Sequence, residues 1–91
     1  MNRVVLVCEG VPSERGAETA LDIEAEFRNH RRWHQNVSCE WDGSRLVLAA
    51  ENDYDPNGQA LLDEFSDALS AYVRGGFDGE IKLISAERHD T

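Results

Sequence analysis

Hydrophobic positions recur along this chain with two different periods. Arg3 to Glu9 reads R-V-V-L-V-C-E, a short β-branched run closed by Gly10 and Pro12, which predicts a first strand. Ser13 then offers a cap for the free amides of a helix, and Ala17, Ala20, Ile23 and Phe27 follow at three- and four-residue spacing until about Arg31. Alternation returns at Val37, Cys39 and Trp41, breaks at Asp42-Gly43 and resumes at Leu46, Leu48 and Ala50. An Asp-Gly pair between alternating runs predicts a hairpin with a two-residue loop, because both turn positions need positive φ. Such a loop sets Trp41 opposite Ser44, Glu40 opposite Arg45, Cys39 opposite Leu46, Ser38 opposite Val47 and Val37 opposite Leu48. Asp55 before Pro56 reads as the start of a second helix with the stripe Leu61, Phe65, Ala68, Leu69 and Tyr72, closed by Gly75-Gly76. A last alternation, Ile81, Leu83 and Ser85 against Lys82, Ile84 and Ala86, predicts the final strand.

The element order βαββαβ, with its tight central hairpin, resembles the ferredoxin-like α/β plait over nearly the whole chain. The resemblance implies an α+β fold: a four-stranded antiparallel sheet in the order 4-1-3-2 with both helices on one face. It is architectural only. Enzymes, metal carriers, RNA binders and regulatory domains share this shape, so function has to be read from particular residues.

Ninety-one residues allow one core, and the chain reads as a single domain, 1–91. An apolar fraction of 41% is too high for a disordered chain. No aliphatic run exceeds five residues, against the ~18 that span a bilayer, so neither a membrane helix nor a signal-peptide core is expected. A net charge of −9 opposes polyphosphate and anionic lipid, which argues against nucleic acid or a membrane surface as partner. Two cysteines are too few for a stapled scaffold and fit a reducing compartment, with cytoplasm as the expectation. On the first and second strands, with the third lying between them in the sheet, Cys8 and Cys39 would stand ~9 to 10 Å apart, beyond bridging distance, and read as buried core residues. Lys82 is the sole lysine beside eight arginines, a bias the sequence does not explain.

With Val4, Leu6, Cys8, Val37, Cys39, Trp41, Leu46, Leu48, Ala50, Ile81 and Leu83 turned to the helices, the alternate set lies on an open sheet face. Val5, Val7, Val47, Ala49 and Ile84 make its apolar centre, with Arg3 and Arg45 expected towards one end and Glu9, Glu51 and Lys82 towards the other. An apolar centre ringed by charge is typical of a contact surface, and a two-fold axis would bring unlike ends together in a homodimer. The plainer alternative is that surface valines are ordinary strand formers.

Other patterns carry weaker expectations. Asp53, Asp55, Asn57, Gln59 and Glu64 match the spacing of a calcium loop, although a strand precedes it and Pro56 stiffens it; an acidic helix cap explains the same letters. Asn29-His30-Arg31-Arg32-Trp33-His34 is basic and aromatic in an acidic chain. It serves either as a cationic helix end or as a recognition spot for an acidic or phosphorylated ligand. His30, His34 and Cys39 would have to converge from a helix end and a strand to hold zinc. Phosphate loops, nucleophile elbows and paired-cysteine motifs do not occur, and no cofactor is implied. The expectation is a non-catalytic, homodimeric interaction module. One variant uses an acidic layer of Glu14, Glu18, Glu24, Glu26, Asp63, Glu64 and Asp67 to meet a basic protein, as an immunity-type inhibitor would. Two alternatives stay open: a small-ligand or calcium sensor using the Gly10–Gly16 loop or the Asp53–Glu64 segment, and an enzyme built on Glu9, Glu51 and Arg45.

Overall fold

A computed structural model of the chain describes residues 1–73 and 79–88. Its elements are β1 (Asn2–Glu9), a 3-10 turn (Ser13–Arg15), α1 (Gly16–His30), β2 (Gln35–Trp41), β3 (Leu46–Asn52), α2 (Gln59–Tyr72) and β4 (Glu80–Arg88). The four strands form one antiparallel sheet in the order β2-β3-β1-β4, which is the 4-1-3-2 order read from its other edge. The protein therefore has the ferredoxin-like α+β fold. The expected helix stop at Gly75-Gly76 and the tail from His89 lie outside the described residues.

One core joins the sheet to the helices. Val4, Leu6, Cys8, Leu46, Leu48 and Ala50 meet Ala20, Ile23 and Phe27 of α1 and Leu61, Phe65, Ala68 and Leu69 of α2, all essentially buried. In α1 the buried stripe runs through Gly16, Thr19 and Ala20, while Ala17 faces outward. Gly16 is needed there: a Cβ would enter the indole of Trp41, which packs flat over the first turn.

The hairpin departs from its two-residue register. Trp41 pairs with Leu46, Glu40 with Val47, Cys39 with Leu48 and Ser38 with Ala49, two residues further along than expected. The cause is local. Asp42 Oδ1 accepts the amides of Ser44 at 2.9 Å and Arg45 at 2.7 Å, which winds Asp42–Arg45 into a wider loop with Gly43 at φ 104°. Because the offset is two, each side chain keeps its face. The Ser44 and Arg45 amides hold the Asp42 carboxyl below its ordinary value of 3.8. A carboxyl lowered in the folded state adds stability above its unfolded value and loses it as pH falls. Asp42→Asn is accordingly expected to lower stability at neutral pH and to converge on wild type as pH falls below about 4, as urea midpoints across pH would show.

Two irregularities interrupt the outer strands. Between Gln35 and Ser38 the β2 register shifts, with Asn36 at φ 50°. In β4 the shift falls at Ile84: Leu83 pairs with Leu6 and Ser85 with Val5, leaving Ile84 as an inserted residue. Past it the faces exchange, so Ala86 rather than Ser85 packs on the core. Asp55 caps α2 as expected, accepting the amides of Ala60 at 3.0 Å and Leu61 at 3.1 Å. The helix itself begins only at Gln59, because Asp55–Gly58 closes a turn first and Gly58 takes φ 74°. No described helix is long and apolar enough to cross a membrane.

Candidate functional site

Polar chemistry concentrates where α1 ends. After His30 the chain turns through Arg31-Arg32-Trp33, closed by the His34 amide on the Arg31 carbonyl at 3.2 Å, and His34 drops under the turn with its side chain fully buried. Its ring lies among Phe27, Trp33 and Tyr54. Each ring nitrogen has a partner: Asn52 Nδ2 stands 3.2 Å from Nδ1 and Glu64 Oε2 stands 2.5 Å from Nε2. Asn52 Oδ1 accepts the amides of Tyr54 and Asp55, which orients its NH2 group towards the histidine. Nδ1 must then accept, and Nε2 donates to Glu64.

Glu64 is the hub. Its Oε1 also accepts from Trp33 Nε1 at 2.9 Å and from Arg31 at 3.4 Å. Arg31 extends the network to Glu26, whose carboxylate lies 3.4 Å from its Nε without hydrogen-bond geometry and also accepts the Tyr72 hydroxyl at 3.1 Å. That bond, more than burial, raises the Tyr72 phenol above its ordinary value. One carboxylate therefore binds the end of α1 to α2, and through His34 to β3. Chemically this is a latch. With both ring nitrogens engaged inside the protein, the imidazole has no lone pair or proton directed at solvent.

Beside the latch a depression of about 350 Å³ opens between α1 and β2, lined by Arg28, Arg32, His34, Asn36 and Val37. None of the five is acidic. Arg28 pairs with Glu24 at 3.3 Å, and Asn36 donates to Glu51 at 3.0 Å.

The residues with the spacing of a calcium loop are engaged in separate contacts, and Asp55 serves as the helix cap that is the alternative for the same letters. Asp55 caps α2, Asn57 accepts the amide of Gln59, Gln59 donates to Asp63, Glu64 serves the latch and Asp53 is exposed. Among the described residues no three His, Cys, Asp or Glu side chains are arranged to hold a metal. Cys8 and Cys39 are buried free thiols, each pushed up to about 12 by burial first and by neighbouring carboxylates second, so both stay protonated at neutral pH. The Gly10–Gly16 loop holds the 3-10 turn, and Gly10 packs against Gly79.

On the open face the charges are arranged differently from the expectation. Arg3 pairs with Glu51 across β1 and β3, whereas Glu9 meets Lys82 at the opposite end, beyond which Arg45 enters β3. Antiparallel pairing reverses β3 relative to β1, so each end carries both signs. Glu9 and Glu51 are thereby separated by about 20 Å, six strand positions, and do not form a carboxylate pair. Val5 and Val47 are half-buried on this face, while Val7 and Ala49 are buried without joining the core cluster. The inserted Ile84 is 57% exposed. Of the acidic helical layer, Glu24, Glu26 and Glu64 are held internally, and Glu14, Glu18, Asp63 and Asp67 remain exposed.

No family model matches the chain, and neither the curated proteins nor the solved structures include a significant match.

The latch was missed in the sequence, although it left a trace there. Glu64 lies three residues after Leu61 and four before Ala68, on the flank of the buried stripe, where an acid needs a partner.

Proposed function

We propose that the chain is a non-catalytic interaction module that pairs with a second copy through its open sheet face. The observation that carries this reading is the apolar centre of that face: Val5 and Val47 beside Val7 and Ala49, with no helix over them among the described residues. The rim supports it. Arg3–Glu51 and Lys82–Glu9 are paired within the molecule, so a second copy meets balanced charge at either end. Two chains of −9 repel at a distance, and salt that screens the repulsion strengthens a contact made by valines. Docking of a basic protein on the acidic helices would respond to salt in the opposite sense.

Light scattering tests the reading directly. At millimolar protein and moderate salt, wild type is expected at twice the chain mass and Val47→Arg at the chain mass, with salt favouring the wild-type dimer. A monomeric wild type under those conditions overturns the proposal.

A further inference from the structure

We infer that the depression between α1 and β2 binds a small phosphate monoester, held by Arg28 and Arg32. Eighteen acidic residues face nine basic ones in this chain, yet the depression is lined by two arginines, an asparagine, a histidine and a valine. Arg32 makes no hydrogen bond or ion pair with any described residue. The Arg28–Glu24 pair is solvent-exposed on the arginine side, and such surface pairs are worth about 0 to 1 kcal/mol, so a ligand can recruit Arg28 at small cost. The α1 C-terminus opposes an anion by roughly half a charge, which two guanidinium groups outweigh.

Shape and rigidity add to charge. A volume of about 350 Å³ sits at the lower end of small-molecule pockets, which run from ~300 to ~1,000 Å³, and leaves room for an organic group behind the oxyanion. The latch fixes the floor, since His34 is held from both sides by Asn52 and Glu64. At the mouth, Asn36 is the one described non-glycine residue with positive φ, a conformation that costs energy and recurs at binding sites. A dianionic phosphate matches two guanidinium forks better than a single carboxylate does.

Amide NMR titration of the intact chain with glycerol 3-phosphate tests the assignment, with glycerol and malonate as controls. Saturable shifts are expected at Arg28, Arg32 and Asn36 with the phosphate, none with glycerol and weaker ones with malonate. Arg32→Gln, an exposed substitution, is expected to raise Kd about tenfold, while Arg3→Gln leaves it unchanged. Shifts no larger than those with glycerol, tighter binding of malonate, or a Kd indifferent to Arg32→Gln would each overturn the inference.

Discussion

Replacing Glu64 with alanine is expected to lower the melting temperature by about 12 to 24 °C. The carboxylate is mostly buried and accepts from three donors, His34, Trp33 and Arg31. Its removal leaves those donors without their acceptor in a site that water only partly reaches. Breaking a buried charged network in this way costs about 3 kcal/mol, and a domain of this size shifts by about 4 to 8 °C per kcal/mol. Glu64→Gln separates charge from shape. A carboxylate offers only acceptors, whereas an amide must turn its NH2 group either to His34 Nε2–H or to the Trp33 and Arg31 donors. More than half of the alanine loss is therefore expected from glutamine. Thermal melts of the two variants decide the matter, and a shift below about 3 °C for alanine would mean that the latch is not closed in solution.

A second large effect is expected at Gly16. Its φ of −59° suits any residue, and alanine in place of a helical glycine ordinarily stabilises by about 0.4 to 1 kcal/mol. Here the new methyl would overlap the indole of Trp41. The ring has to swing off the first turn of α1 and give up its cover, and overpacking of this kind costs about 1 to 3 kcal/mol. The clash outweighs the propensity gain, so Gly16→Ala should unfold at lower urea than wild type. The indole near-ultraviolet signal should weaken as well. A stabilised variant would show that Trp41 leaves this contact freely.

Alternation carried the fold. The core-facing residues of β1 and β3 recur at every second position, with Val7 and Ala49 buried besides, and α2 keeps its stripe from Leu61 to Leu69, so element order follows from pattern while strand order follows from the resemblance to the plait. The departures are local and chemical. Asp42 folds its own carboxylate onto two amides and moves the hairpin by two residues, which alternation cannot register because a shift of two preserves every face. Ile84 interrupts a run that reads as continuous, since an inserted residue in a strand looks like any other apolar letter. The reversed rim of the open face came from placing Glu51 with Glu9, an error of direction that the pairing of Arg3 with Glu51 corrects. Least legible was the latch, whose members His34, Asn52 and Glu64 come from three separate segments. Neighbouring letters suggested an ion loop for Glu64 and a helix end for His34, and only the fold brings the two together.

The two outer strands also determine how these molecules behave when crowded. Glu24 of α1 reaches over β2 and takes the Cys39 amide at 3.1 Å, removing a donor from that border. On the other border, Ile84 breaks the spacing of β4, and Glu80, Lys82, Glu87 and Arg88 line it with charge. Neither border offers the straight row of donors and acceptors on which a foreign strand would extend the ribbon. Both margins are thereby made poorer templates for strand addition, one by a capped amide and the other by an inserted residue and charge.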